Sequence, residues 1–246
     1  MKRPRETSES FRFADIGSRQ DWVGGAARAI PIVLGYVPVG IAYGVLANKA
    51  GLSMLNTMLM SVIVYAGASQ LIAVGLFMAQ VPALTIIITT FAVNLRHFIM
   101  ASAIAGRLKR WRKIELAAFA YELTDETFAV HSMTRSSEAF RKPAVFATNV
   151  TAQISWVTGS FIGFTAGGFI GDIQALALDY ALPAMFIALL VLQIKNRVQV
   201  LIAVISGILA VTLLLAGLGH WHIMAASLIG ATLGVFIEEV IKRLSS

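Results

Sequence analysis

The segment from Val81 to Ala105 is apolar enough to cross a lipid bilayer, yet an amide, a guanidinium and an imidazole side chain lie in its second half. They are Asn94, Arg96 and His97. About 20 apolar residues suffice for a helix to cross the roughly 30 Å hydrocarbon core. A charged side chain at that depth costs at least about 2.5 kcal/mol on insertion scales. We therefore expect these groups to face a solute, an ion or a paired carboxylate inside a helical bundle.

The overall composition is that of a membrane protein. Of the 246 residues, 57% are hydrophobic and 13% are charged, whereas a soluble domain carries about 25% charged residues. The chain is therefore predicted to be an all-α, polytopic transmembrane helical bundle. We expect a polar cytoplasmic N-terminal tail over residues 1–26, a transmembrane permease domain over 27–241 and a C-terminal tail over 242–246. The absence of cysteine excludes disulfide, thiol and haem-attachment chemistry.

Eight apolar segments follow one another, so seven or eight membrane spans are expected. The fourth segment is short and acidic. The second has small residues near its centre, where a broken helix would present backbone groups to a cavity. A faint internal repeat relates residues 65–73 to residues 180–188, and it would place matched breaks at Gly67 and Pro183. The segments are 29–47, 54–79, 81–105, 116–130, 143–164, 176–194, 198–218 and 223–241.

Three Gly-x-x-x-Gly motifs predict places where two helices approach closely. One interpretation is that they pack helices of this chain against each other. The other is that they exceed what one small bundle needs and leave a face for a second subunit. The motifs are Gly40–Gly44, Gly159–Gly163 and Gly230–Gly234.

The formal net charge of +7 is spread over the N-terminal tail and the loops. Basic residues beside apolar segments act as topology determinants and contact anionic membrane lipid. Because they are dispersed, we expect no nucleic-acid partner. With eight spans and the amino terminus inside, the basic cluster at residues 107–113 falls outside, against the positive-inside rule. A re-entrant second segment or a non-spanning fourth would repair this locally.

Two polar stripes are candidates for a substrate site. Ser61, Tyr65 and Ser69 recur every four residues, so one continuous helix would place them on one face, with Gln70 adjacent. Hydroxyl and amide groups suit the ammonium and carboxylate of a zwitterion, and interhelical hydrogen bonding is the alternative. In the third segment Thr90, Asn94 and His97 form a second stripe, with Arg96 about 100° away around the helix. The predicted substrate-binding residues are Tyr65, Ser69, Gln70, Asn94 and Arg96.

An acidic cluster in the fourth segment is the candidate for proton coupling. Glu122, Asp125 and Glu126 are spaced to share one face of a helix. Three clustered carboxylates at membrane depth require protonation or a cationic partner. Arg96 is that partner in one interpretation and holds the substrate carboxylate in the other. His97 is a further candidate proton carrier, and the alternative is a structural histidine with satisfied hydrogen bonds. Alternatively, the acids are solvated at the membrane surface.

Four of these motifs resemble, in order and spacing, the AzlC family of bacterial permeases implicated in branched-chain amino-acid export. Where the family usually has Phe before Ala-Gly-Ala-Ser-Gln, this chain has Tyr65. The resemblance implies a small AzlD-type membrane subunit as partner and a multi-pass location in the bacterial inner membrane. The motifs are Gly40–Gly44 followed by Gly51-Leu52-Ser53, then Tyr65–Gln70, then Asn94–His97, then Leu123–Phe128.

The resulting expectation is a secondary transporter subunit that exports leucine, isoleucine and valine, with methionine as a further candidate. No nucleotide-binding, nucleophile-elbow or metalloprotease motif is present in the sequence, so we expect no enzyme activity, cofactor or metal site. The driving force is then expected to be the proton motive force. The alternatives are a passive channel or facilitator for another small solute and a membrane scaffold that transports nothing.

Overall fold

The computed structural model describes residues 18–134, 140–170, 196–218 and 222–244, together with residues 180, 184, 187, 190, 191 and 194. Within this part of the chain the regular structure is entirely helical, as predicted. The ten helices named below are α1 Arg19–Arg28, α2 Ile30–Lys49, α3 Met54–Leu59, α4 Gly67–Met78, α5 Ala83–Ile104, α6 Lys113–Tyr121, α7 Asp125–Met133, α8 Lys142–Gly167, α9 Arg197–Leu215 and α10 His222–Leu244.

The closest helix contact is the crossing of α2 and α8. Gly44 faces the main chain of Ser160 and Phe164, and Gly163 faces the main chain of Ile41. At Gly40 an added Cβ would lie 2.9 Å from the Trp156 carbonyl oxygen. The first two Gly-x-x-x-Gly motifs therefore pack against each other. This confirms the internal-packing interpretation.

The third motif is also used inside the chain. Gly230 faces Ser206 and Gly234 faces Ile202, so the motif packs α10 against α9. All three motifs thus serve contacts within the chain. They give no separate support for a second subunit.

The second apolar segment is broken, as its small residues predicted. After α3 the chain forms a π-helical turn over Met60–Val64, and the Tyr65 N–H donates to the Met60 carbonyl at 3.1 Å. Tyr65 itself has a left-handed backbone with φ of 42°, so α4 starts anew at Gly67. The predicted common face of Ser61, Tyr65 and Ser69 is therefore wrong, because no continuous helix joins them.

The fourth segment is broken too. α6 ends at Tyr121, and α7 begins at Asp125 behind Thr124, whose hydroxyl accepts from the Thr127 N–H at 3.3 Å. Glu122 lies in the connection before this cap. The predicted shared face of three carboxylates is therefore wrong, because no continuous helix joins Glu122 to Asp125 and Glu126.

Among the described residues, three helical stretches are long and apolar enough to cross a membrane, namely Ile30–Lys49, Ala83–Arg107 and Arg197–Leu215. In α5 large apolar side chains such as Phe91 and Phe98 are 66% and 75% exposed, which suits contact with lipid tails. The count of seven or eight spans stays a prediction. The proposed repeat partner at 180–188 lies largely outside the described residues.

Candidate functional site

The two broken helices meet at a small cavity, which we call the polar cavity. Its volume is about 10 Å³, room for about one water molecule. It receives the first residues of α4 and α7 together with side chains from α2, α5 and α8. Its lining residues are Tyr36, Ala66, Gly67, Ala68, Arg96, His97, Thr124, Asp125, Glu126 and Trp156.

An ion pair crosses the polar cavity. Arg96 Nη1 on α5 lies 2.7 Å from Asp125 Oδ2 on α7, with side chains 24% and 19% exposed. Arg96 therefore has the carboxylate partner that the first interpretation required. His97 also lines the cavity, so two side chains that leave α5 about 100° apart both reach it. The long arginine side chain spans the difference in direction around the helix.

A second carboxyl group of the cavity is bound by a tyrosine. Tyr36 Oη lies 2.5 Å from Glu126 Oε2 and 2.7 Å from Thr124 Oγ1. A hydroxyl group has a single proton to donate. When Tyr36 donates to an ionised Glu126, Thr124 donates to Tyr36. When Glu126 is protonated, it donates to Tyr36, which then donates to Thr124. The same three groups therefore satisfy either form of Glu126.

Two helix amino termini point into the same cavity. The first turn of α4 at Gly67 and the first turn of α7 at Asp125 both line it. The unbonded N–H groups of a helix start carry partial positive charge and favour anions. Asp125 and Glu126 supply that negative charge for α7. At α4, the lining residues Ala66, Gly67 and Ala68 have no ionisable side chain, and the Trp156 ring packs against Gly67.

Ser69 and Asn94 join α4 to α5 beside the cavity. The Ser69 hydroxyl donates to Asn94 Oδ1 at 2.6 Å. Ser69 is 2% exposed, and Asn94 is partly buried. This pair fixes the start of α4 relative to Arg96, two residues further along α5. Of the predicted binding residues, Arg96 lies in the cavity wall, whereas Ser69 and Asn94 are absent from the lining and only neighbour lining residues along the chain.

Gln70 lies elsewhere, in a buried hydrogen-bond network behind Trp156. Its Oε1 accepts from Trp156 Nε1 at 3.1 Å, and its Nε2 donates to Ser61 Oγ at 3.3 Å. Ser61 Oγ in turn donates to Ser160 Oγ at 2.9 Å. Gln70 is completely buried and is absent from the cavity lining. Its geometry matches the interhelical alternative that the sequence left open.

Replacing Gln70 with leucine should therefore lower stability. The change leaves the buried Trp156 N–H without its acceptor, which costs about 1–3 kcal/mol. We expect a melting temperature several degrees lower, measured on the purified protein in detergent. Gln80→Leu is the matched control, because the Gln80 amide is exposed and donates to the Phe77 carbonyl of its own turn. An unchanged melting temperature with lost export would instead indicate that Gln70 binds substrate.

The remaining predicted residues also lie outside the cavity lining. Tyr65 is 2% exposed, and its ring centroid lies 6.5 Å from that of Tyr121. Glu122 is 8% exposed, so its carboxyl group is not a solvated surface group. The Asn149 side chain lies beside it.

Tyr36 and Trp156 were missed by the sequence analysis, although both line the cavity. An aromatic residue in an apolar span gives no signal that separates a site from lipid or core contact.

His131 was also missed. It is 1% exposed and contacts Asn149, and its only sequence signal is a histidine five residues after Glu126.

Comparison with known proteins places the chain in a family. The model of the family described as AzlC protein matches residues 31–170. An uncharacterized membrane protein of Archaeoglobus fulgidus is 35% identical, over 85% of this chain and 92% of the relative. The inner membrane protein YgaZ of Escherichia coli is 31% identical, over 77% of this chain and 80% of the relative.

A third relative has a name that states a function. The branched-chain amino acid transport protein AzlC of Bacillus subtilis is 26% identical, over 84% of this chain and 80% of the relative. No solved structure matches the chain. These relatives and the apolar helices support a multi-pass inner-membrane protein with a role in membrane transport. The family match covers more than half of the chain, which therefore belongs to the AzlC family.

Proposed function

We propose that this chain is the large subunit of a secondary transporter that exports branched-chain amino acids, driven by the proton motive force. The observation that carries the proposal is the ion pair of Arg96 and Asp125 in a cavity between two helix breaks. Discontinuous helices beside polar groups are typical of transporter substrate sites. The named function of the Bacillus subtilis relative supports the choice of substrate.

The ion pair supplies one binding partner for each end of a zwitterion. The substrate carboxylate binds Arg96 and the N–H groups at the start of α4. The substrate ammonium binds Asp125, which the arrival of the carboxylate releases from Arg96. Each protein charge exchanges one partner for another, so no charge is left unpaired at membrane depth. A substrate of net charge would leave either Arg96 or Asp125 without a partner.

The surroundings of the ion pair suit an aliphatic side chain. Ala66, Gly67 and Ala68 are small and the Trp156 ring is apolar, and all four line the cavity. A branched aliphatic group gains about 0.8 kcal/mol per buried CH₂ in such surroundings. A cavity of about 10 Å³ holds no leucine, so the start of α4 and the start of α7 must move apart for binding.

The proton carrier in this proposal is Glu126, with His97 as the second candidate. Asp125 already pairs with Arg96 at 2.7 Å. Glu126 is bound by Tyr36 and has no cationic partner among the described residues. Because Tyr36 and Thr124 satisfy both forms of Glu126, the carboxyl group changes its protonation state without losing its hydrogen bond. Proximity to Asp125 makes Glu126 sensitive to whether the ion pair or a substrate is present.

The proposal includes a small AzlD-type membrane subunit. The Gly-x-x-x-Gly faces are used inside the chain, so this part of the proposal depends on family membership. Export measurements therefore use inverted membrane vesicles from cells that express both subunits.

Glu126→Gln should separate proton coupling from substrate exchange. The glutamine keeps a hydrogen-bonding side chain beside Tyr36 but cannot carry a proton. We expect gradient-driven leucine movement to fall at least tenfold, which corresponds to about 1.4 kcal/mol. Exchange of labelled for unlabelled leucine without a gradient should persist, because the ion pair is intact. Both rates are measured in the same vesicle preparation.

Asp125→Asn is the matched comparison and should lose both gradient-driven movement and exchange, because the substrate ammonium loses its carboxylate. Glu115→Gln is the control for a carboxylate away from the cavity, since Glu115 pairs with Lys142 at 2.8 Å. Retained coupling in Glu126→Gln would move the proton-carrying role to His97. If the unmodified protein moves leucine at the same rate with and without a pH gradient, it is instead a passive facilitator.

A further inference from the structure

Glu122, Asn149 and His131 form a second buried polar cluster, away from the polar cavity. Their side chains come from the connection before α7, from α8 and from α7, and the three residues are 8%, 0% and 1% exposed. His131 Nε2 and Asn149 Oδ1 lie 2.7 Å apart. Glu122 Oε2, Asn149 Nδ2 and His131 Nδ1 have no hydrogen-bond partner among the described residues.

Three unsatisfied buried polar atoms in one cluster are costly, because each has lost its hydrogen bonds to water without gaining one inside the protein. The cost falls when the Asn149 amide and the Glu122 carboxyl group, which lie side by side, complete a hydrogen bond. A small rotation brings Asn149 Nδ2 to an ionised Glu122 Oε2. Asn149 Oδ1 then accepts from His131 Nε2–H. In this arrangement Glu122 carries the negative charge and His131 is the neutral Nε2–H tautomer.

A protonated Glu122 is satisfied by the reverse arrangement. Rotation of the Asn149 amide by 180° exchanges its oxygen and nitrogen. Glu122 then donates its proton to Asn149 Oδ1, and Asn149 Nδ2 donates to the lone pair of His131 Nε2. This requires the Nδ1–H tautomer of His131. Relative to the first arrangement the cluster has gained one proton, bound to Glu122, and the imidazole proton has changed nitrogen.

We propose that Glu122, Asn149 and His131 form a proton-binding site in which the Asn149 amide rotates with the protonation of Glu122. Aromatic rings enclose the site, because Phe119 and Phe140 lie 5.6 Å and 5.8 Å from the His131 ring. Apolar rings offer no hydrogen bonds, so the polar atoms of Glu122, Asn149 and His131 must satisfy each other. The site is separate from the polar cavity, and its use in export depends on the proposed function.

Charged and titratable groups around the cluster favour a proton on Glu122 rather than on the imidazole. The Arg107 guanidinium, just beyond the end of α5, donates to the His131 carbonyl at 2.6 Å. Arg28 at the end of α1 also acts on His131 electrostatically. Both positive charges oppose a cationic imidazole. Tyr65, before α4, lies within electrostatic reach of Glu122 and is neutral at ordinary pH.

The test is an infrared pH titration of the purified two-subunit complex in liposomes, without amino acid or gradient. We expect a protonated-carboxyl band that disappears at high pH, is lost in Glu122→Gln and is retained in the control Glu115→Gln. Asn149→Leu removes the hydrogen-bond partner of Glu122 in both forms, but the ionised carboxylate loses the stronger, charge-assisted bond. The substitution should move the midpoint of the titration upward by about one pH unit or more. Such a shift is an increase of about tenfold in the proton affinity of Glu122.

The tautomer of His131 distinguishes this site from a merely structural cluster. The chain has four histidines, so nitrogen NMR of the histidine-labelled complex is assigned by comparison with His131→Gln. As the pH is lowered, we expect His131 to change from the Nε2–H to the Nδ1–H form. The change should occur over the same pH range in which the protonated-carboxyl band of Glu122 appears.

An unchanged tautomer, a band insensitive to Glu122→Gln or an unmoved midpoint in Asn149→Leu would each overturn the proposal. Because no substrate is present, these results are independent of the Glu126→Gln export measurements. Failure of one proposal is therefore distinguishable from failure of the other.

Discussion

Gly44→Leu should abolish accumulation of folded protein, whereas Gly35→Leu in the same helix should be tolerated. At Gly44 any side chain would meet the main chain of Ser160 and Phe164 across the α2–α8 crossing. Main-chain atoms of two packed helices cannot rotate away, so we expect a loss of about 3 kcal/mol or more. That is a large part of the 5–15 kcal/mol that stabilises a typical protein.

Gly35 offers a sharp comparison, because a Cβ there would meet nothing within 4 Å. Leucine also has a higher helix propensity than glycine, by about 0.8 kcal/mol. The measurement is the amount of monodisperse protein after detergent extraction, followed by its melting temperature. Equal yields of the two variants would contradict the tight crossing of α2 and α8. A loss in Gly35→Leu alone would instead indicate that this exposed face binds another protein.

The crossing matters for function because it fixes one wall of the polar cavity. Tyr36 on α2 and Trp156 on α8 both line the cavity, and their ring centroids lie 5.4 Å apart. Trp156 also packs on Gly67 at the start of α4. The α2–α8 pair is therefore a rigid frame against which the two broken helices are held. In the proposed transporter, the starts of α4 and α7 are the parts that move.

The sequence predicted the first helix break but misread the second. Small residues around Gly67 indicated a break because they permit an unwound or kinked segment that presents backbone groups to a cavity. In the fourth segment, the spacing of Glu122, Asp125 and Glu126 was interpreted as one continuous helix. A cap signal was nevertheless present, since Thr124 precedes two acidic residues, which is typical of a helix start. Giving that signal more weight would have separated Glu122 from the other two carboxylates.

The choice of partners across the bundle was beyond local sequence patterns. Two partners for Arg96, the substrate carboxylate and the acidic cluster, were given equal weight. Sequence periodicity shows in which direction a side chain leaves its own helix, but not which helix lies in that direction. Gln70 was assigned to the substrate for its polarity alone. Its actual partners, Trp156 and Ser61, belong to other segments of the chain. Such contacts depend on how helices cross, and the glycine motifs identified close crossings without saying which helices they join.

The sharpest test of the proposed site compares Arg96→Ala with the double variant Arg96→Ala/Asp125→Asn. Removal of Arg96 alone leaves the Asp125 carboxylate partly buried without its cation, whereas the double variant removes both charges. We therefore expect the single variant to have the lower melting temperature and the lower yield of folded protein. Arg110→Ala is the control, because Arg110 is an exposed arginine in the loop after the same helix.

Export should respond differently from stability. Both variants lack the partner for the substrate carboxylate, so leucine export should fall roughly 100-fold in each, equivalent to about 2.7 kcal/mol. A double variant that regains stability without regaining export indicates that the ion pair both maintains the fold and binds substrate. Additive losses of stability would mean that Arg96 and Asp125 do not depend on each other. Export that recovers together with stability would assign the pair to the fold alone, and the zwitterion would then have to bind elsewhere along the two helix breaks.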